Sequence, residues 1–359
     1  METVVDGILN LHQQLVEKKD RITQSMNMHK GFGSALWRLP TEVLSQIFDH
    51  CLPEDFISSY PSSSPTAPML LTEVCREWRE VAVGIPGLWR RLYMQVKENS
   101  DWQKVAFCYD SWLKRSRGCR LSLQLNCDAD DSVKLRSLVQ PYINQISSLS
   151  IFFRDPVQPE LLLIDLPALQ ELKIWDFEHN FPSVAQCISQ MPSTLRSLNV
   201  LGSWFNFEHL SSLNPVWVNL TNIVIAICQP NVFLHLLQLC PNLSSLTVRS
   251  GFNRTTTLEP FTHSEIRSIR FSLHSRDVLP LSDLFDVLSL PNLRVFEARS
   301  RSTWPHEQFK AFLLRSKCPL ESLIFSGRPA TLTDEERAGY IVLFPSLEVV
   351  RDSDSKSFR

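Results

Sequence analysis

From residue 146 onward one short pattern returns at near-constant spacing: an apolar residue, a second three positions later and a third two positions after that. The instances are Ile146/Leu149/Ile151, Leu169/Leu172/Ile174, Leu195/Leu198/Val200, Leu220/Ile223/Ile225, Leu243/Leu246/Val248, Ile266/Ile269/Phe271, Leu293/Phe296/Ala298, Leu320/Leu323/Phe325 and a degenerate Leu347/Val350. Successive first positions lie 23 to 27 residues apart. The last two apolar positions of each unit alternate, so both side chains leave the same side of a short strand. Four of the stretches between strands, "PSVAQCISQM", "PNVFLHLLQLC", "PLSDLFDVLSL" and "PHEQFKAFLLRS", read as helices opening on a first-turn proline. A strand and a return segment cannot bury an apolar face alone, but stacked copies build one continuous core. The expected architecture is therefore α/β, with parallel strands on one face of a solenoid and helices on the other. Leu121, Leu123 and Leu125 alternate in the same way and place the first strand at residue 121.

Bulk properties narrow the function. The chain has 359 residues, 43% hydrophobic and 21% charged, enough for a large core divided into two or three units. Its 36 basic and 38 acidic residues leave a formal charge of -2, so there is no general cationic field for nucleic acid or anionic membrane. No apolar run approaches the roughly 20 residues of a membrane span, and residues 1–3 do not open a secretory leader, so the expected place is inside the cell, in cytoplasm or nucleus. The nine cysteines, Cys51, Cys75, Cys108, Cys119, Cys127, Cys187, Cys228, Cys240 and Cys318, are scattered and read as buried thiols. No metal or other cofactor is expected, since no ligand spacing occurs. Asn219, Asn242 and Asn253 open N-x-S/T triplets, which chance explains.

The first 92 residues are organised differently. Val4, Ile8, Leu11, Leu15 and Ile22 recur at helical steps over residues 1–30, interrupted by Lys18, which suggests an amphipathic helix docked on the following domain rather than self-associating. Gly31, Gly33 and Ser34 break it. Pro40 then suits a helix start, and Val43, Leu44, Ile47, Phe48, Cys51 and Leu52 form an apolar stripe. A Ser/Pro-rich loop at residues 53–68 separates it from a second helix carrying Leu70, Leu71, Val74, Cys75, Trp78, Val81 and Ala82. Pro86, Leu88 and Trp89 follow. Short helices of this size bury little without a partner.

The order of these residues, Leu39, Pro40, Val43, Leu44, Ile47, Phe48, Leu52, Val74, Cys75, Trp78, Pro86, Leu88 and Trp89, resembles the F-box, the helical module that binds the Skp-type adaptor of cullin-RING ubiquitin ligases. The 23- to 27-residue repeat resembles the leucine-rich repeat. Together, and with frequent "PxL" lead-ins to the strands, they resemble the divergent fungal members of the F-box leucine-rich-repeat family. The implied organisation is a small all-α F-box module at residues 36–92, a linker helix at 93–120 and an irregular solenoid at 121–359. Irregularity is expected because the Asn or Cys of the repeat's turn is replaced at Arg154, Phe177, Ser203, Gly251, His274, Arg301 and Arg328, leaving only Cys228.

The resemblance implies an adaptor-binding surface made from Leu39, Pro40, Val43, Leu44, Ile47, Leu52, Val74, Cys75 and Trp78. Through the adaptor it implies cullin and RING subunits, with a protein substrate held by the solenoid. Strand residues pointing away from the core would line the concave surface: Lys173, Trp175, Asn199, Thr247, Arg249, Arg270, Glu297, Arg299 and Arg351. Of these, Arg249, Arg270 and Arg299 form a candidate column for carboxylate or phosphate, and Trp175 a candidate anchor. No HExxH, GxSxG or complete phosphate loop occurs, so the chain is read as a receptor subunit rather than an enzyme. His50 beside Cys51 is no exception, since neighbours on a helix diverge by about 100° and Cys51 falls on the apolar face. The other reading is a non-degradative scaffold in which the helical module caps the solenoid.

Overall fold

Residues Glu2–Gly31 form one helix, α1, as the heptad-like spacing predicts. The computed structural model describes residues 2–31, 39–52, 67–95, 101–127, 129–153, 159–176, 181–250, 252, 257–273, 281–299, 304–326, 332–345 and 347–352. Leu11, Leu15, Ile22 and Met26 are each more than half exposed, so the expected docking is not seen at the described side chains of this stripe. Lys18 offers a reason, since a charge in mid-stripe raises the cost of covering it. Gly33 and Ser34 lie outside the described residues.

The chain divides into two compact units, one within the first 88 residues and one from Trp89 onward. In the first unit, helix α2 spans Thr41–His50, with Pro40 one position before it and its carbonyl accepting from the N–H groups of Val43 and Leu44 at 3.0 and 3.1 Å. Leu44 and Phe48, four apart, form the buried face. The second helix expected from the sequence is two: α3, Met69–Val74, and α4, Arg76–Gly84. Cys75 breaks them with an extended backbone, and its Sγ accepts from the Trp78 N–H at 3.4 Å, capping α4. Arg79 Nε donates to the Thr72 carbonyl at 2.8 Å and ties the two helices together. The Trp78 ring lies 5.0 Å from that of Phe48. Residues 53–66 of the Ser/Pro loop lie outside the described residues.

In the second unit the elements follow as β1 (Arg91–Gln95), α5 (Trp102–Arg115), β2 (Leu121–Cys127), α6 (Ala129–Val139), β3 (Ile146–Phe153), α7 (Glu160–Leu163), β4 (Glu171–Asp176), α8 (Phe181–Ser189), β5 (Ser197–Phe205), α9 (Phe207–Ser212), β6 (Asn222–Ile227) and α10 (Pro230–Leu239). They continue as β7 (Ser245–Ser250), β8 (Phe261–Thr262), β9 (Ser268–Leu273), α11 (Leu281–Val287), β10 (Leu288–Ser289), β11 (Val295–Arg299), α12 (His306–Ser316), β12 (Ser322–Ser326), α13 (Asp334–Leu343) and β13 (Glu348–Asp352). Among the described residues eleven strands form one parallel sheet in chain order, with β8 and β10 paired separately. The four helices expected between strands are present as α8, α10, α11 and α12.

The sheet begins at Arg91 rather than Leu121, and α5 lies between its first two strands instead of linking two domains. Leu92 and Met94 stand in register with Leu123 and Leu125, but two alternating residues are too short a signal to read as a strand. The apolar triplets from Ile146 to Phe325 are all buried and form the core with the helices. Just before the strands, a column of backbone hydrogen bonds runs from Gln170 to Ser147, Arg196 to Gln170, Thr221 to Arg196, Ser244 to Thr221, Arg267 to Ser244, Arg294 to Arg267 and Glu321 to Arg294, at 2.8–2.9 Å, and from Gln170 to Arg294 each carbonyl also accepts from the next N–H at 3.0 Å. This column holds the units in register.

Ser203 and Cys228 are the described members of the expected turn positions; Arg154, Phe177, Gly251, His274, Arg301 and Arg328 lie outside the described residues. In the later repeats the interior is aromatic: Phe285 lies 5.1–6.4 Å from Phe296, Trp304, Phe309 and Phe312. The last repeat is one residue short. Val349, not Val350, stands opposite Leu323, and Arg351 stands opposite core-facing Phe325 instead of in the row predicted for it.

Candidate partner-binding faces

On the first unit, the described helices leave apolar side chains in water. Val43 and Ile47 on α2, and Leu70 and Val74 on α3, are each pairs four apart, so each pair shares one helix face, and all four are exposed. Of the residues expected to meet an adaptor, Pro40, Val43, Ile47 and Val74 are exposed, and Leu39, Leu52, Cys75 and Trp78 are half-buried. Leu44 is not on the surface: it is 2% exposed and packs in the module core. Met69 and Leu70 are exposed and were not among the expected residues, although Leu70 stands one helical turn before Val74. Trp89 belongs to the second unit, where its ring meets Trp112 edge-on at 5.0 Å, lies under the Arg115 guanidinium at 4.4 Å, and its carbonyl accepts from Trp112 Nε1.

On the second unit, the sheet face opposite the buried triplets carries two rows set by the strand register. The lower row runs Gln124, Ser150, Lys173, Asn199, Val224, Thr247, Arg270, Glu297 and Ile324. The upper row runs Asn126, Phe152 and Trp175 on one side and Trp204, Ala226, Arg249, Ser272, Arg299 and Ser326 on the other. A wide bulge divides the two halves: residues 200–203 of β5 stand opposite Ile225 alone, with Gly202 at φ +105. Its effect is to re-aim Trp204, which is 44% exposed.

The expected arginine column is not one column. Arg270 sits in the lower row and donates to Glu297 Oε2 at 2.6 Å, so its charge is already matched. Arg249 and Arg299 sit in the upper row with Ser272 between them. Burial lowers the pKa of the Arg249 guanidinium from its ordinary value, and the like charge of Arg299 adds to this. Lys173, Trp175 and Asn199 are half-buried; Lys173 and Asn199 share the lower row, and the Asn199 Oδ1 is buried without a hydrogen bond. Trp204 was not among the expected residues, because its place depends on the bulge.

The cysteines differ in burial. Of the eight cysteines whose burial is described only Cys187, Cys240 and Cys318 are buried, while Cys51 and Cys108 are exposed, which corrects the reading of all as buried thiols and of Cys51 as packed. Cys51 is the C-cap of α2, past the face that packs. Burial pushes the Cys187 and Cys318 thiols up to about 11 and raises Cys240 further, so all three are protonated near neutral pH. Among the described residues no group of three His, Cys, Asp or Glu side chains gathers as metal ligands would, and no helix is long and apolar enough to cross a membrane.

Comparison with known proteins bears on the first unit and on the start of the second. A family model described as F-box-like matches residues 36–95. No curated protein shows significant similarity to the chain. The chain thus carries an F-box-like domain, a type that binds Skp-type adaptors and is generally non-catalytic, followed by a parallel repeat-like sheet consistent with leucine-rich repeats.

Proposed function

We propose that this protein is a substrate-recognition subunit of a cullin-RING ubiquitin ligase, binding a Skp-type adaptor through the F-box-like domain and a protein substrate through the outer face of the sheet. The carrying observation is that the F-box-like match coincides with helices whose pairs Val43/Ile47 and Leu70/Val74 remain exposed. Exposed apolar side chains concentrated on two short helices mark an interaction surface better than a folded core. The chain would supply no chemistry itself. Holding substrate beside a recruited ligase raises the local concentration of the reacting groups, and that is the contribution required. The working place in this reading is the cytoplasm or nucleus.

The test is co-purification with a Skp-type adaptor, comparing wild type with Ile47→Asp and Val74→Asp. Each places a charge on a surface that must be dehydrated on docking, so complex formation should fall by ~100-fold or more while helix content stays unchanged. Leu44→Asp is the contrasting variant: its charge lands in the module core and should unfold the helical unit. Adaptor binding that survives both surface variants rejects this interface.

A further inference from the structure

The upper row of the outer sheet face holds a juxtaposition that adaptor recruitment does not use. Ala226 is only 5% exposed although alternation along β6 turns it outward, and its register neighbours are Trp204 on one side and Arg249 on the other. An exposed indole and a half-buried guanidinium therefore flank one small residue. The bulge at residues 200–203 creates this arrangement by carrying Trp204 into line with Ala226. Arg249 makes no hydrogen bond or ion pair among the described residues, whereas Arg270, one row below, is held by Glu297. A partly buried cation without an acceptor, with a second arginine two strands away, asks for an anion.

We propose that Trp204 and Arg249, spaced by Ala226, bind the free C-terminus of a partner polypeptide, the α-carboxylate on Arg249 and an apolar last side chain against Trp204. This rests on the substrate-receptor reading and names its substrate class. One unengaged guanidinium fork matches one carboxylate through two parallel N–H···O bonds. A phosphate dianion would call for a second guanidinium beside the first, whereas Arg299 stands two strands away, and its stronger hydration is ill suited to a site walled by an indole. The combination of charge and apolar group also fits a chain end. There the carboxylate and side chain share one Cα, as two protein side chains separated by one alanine require. In an internal acidic segment, the nearest side chain on the same face lies about 7 Å further on.

The experiment is fluorescence anisotropy of the full-length protein with short labelled peptide pools ending in Leu or Phe, made as the free acid and as the C-terminal amide. The free acid should bind about tenfold or more tightly than the amide, the size of a lost charge-assisted pair. Arg249→Gln should abolish that discrimination, Arg249→Lys should restore part of it, and Trp204→Ala should remove the preference for an apolar last residue over lysine. Circular dichroism of each variant establishes that it is folded. Equal binding of acid and amide by the wild type overturns the proposal without any variant, as does discrimination that survives Arg249→Gln. A pool of amides with internal phosphoserine that outcompetes the free acid assigns the arginine to phosphate instead and also overturns it. Adaptor co-purification, run on the same proteins, separates the two readings: its loss in wild type with acid discrimination intact rejects the receptor and leaves the site.

Discussion

Cys75 shows how one side chain decides local structure. Its extended backbone separates α3 from α4, and its sulfur accepts the Trp78 N–H that would otherwise open the helix unpaired. Cys75→Ser keeps an acceptor at that position and should unfold within a few tenths of a kcal/mol of wild type, whereas Cys75→Val should cost about 1 kcal/mol in calorimetric unfolding. Asp110 on α5 is a second case. The Lys114 ammonium at 2.6 Å holds its carboxyl below the ordinary 3.8; partial burial opposes this, and the Tyr142 hydroxyl at 3.1 Å adds to it. A depressed carboxyl stabilises the fold above its unfolded pKa, and that contribution disappears as pH falls through the folded value. Asp110→Asn should therefore flatten stability against pH below about 4, read by urea unfolding across that range. The same carboxylate, after burial, holds the Tyr142 hydroxyl up to about 12, so Asp110→Asn should also lower the alkaline titration of that tyrosine seen by absorbance.

Among the elements, β5 and its bulge carry the most consequence. Gly202 adopts φ +105, a conformation that a β-branched residue resists, while residues 200–203 oppose a single residue of β6. Gly202→Val should destabilise the second unit by about 1–3 kcal/mol and shift tryptophan emission as Trp204 loses its position. This element was not legible in the sequence. Leu195, Leu198 and Val200 keep the repeat pattern up to the bulge, and nothing in "LGSW" reveals that the register to β6 slips while that to β4 holds. Arg270 and Glu297 were easier in principle: they lie 27 residues apart, one period of the repeat at that point, so adjacent strands place them side by side. The interior around Phe285, Phe296 and Phe309 is aromatic, each ring lying within 6.4 Å of the other two.

At the scale of the whole molecule, the division between units falls at Trp89 rather than at the end of the helical motif. Trp89 and Leu92 are buried in the second unit, so a chain beginning at Trp89 should fold and unfold cooperatively. A chain beginning at Tyr93 loses the Trp89–Trp112 contact and part of β1, and should be less stable by about 3–5 kcal/mol in urea. If the shorter deletion failed to fold at all, the helical unit would be an obligatory cap, as the scaffold reading requires.

Periodicity and residue order can be read along the chain without coordinates. Every complete triplet from Ile146 to Phe325 is buried, because a short period allows only one strand and one return per unit, and stacking alone can hide their apolar faces. The F-box-like order from Leu39 to Trp89 was legible for the same reason, as a linear pattern. Which face a side chain shows, and what stands beside it, depends on packing and strand register in three dimensions. Leu44 is buried and Val74 is 55% exposed, although both are apolar members of one motif, because the packing of α2 and α3 chooses between them. Arg249 stands two strands from Arg299 in one row and Arg270 in another, because register is set by hydrogen bonds between strands that lie more than twenty residues apart in the chain.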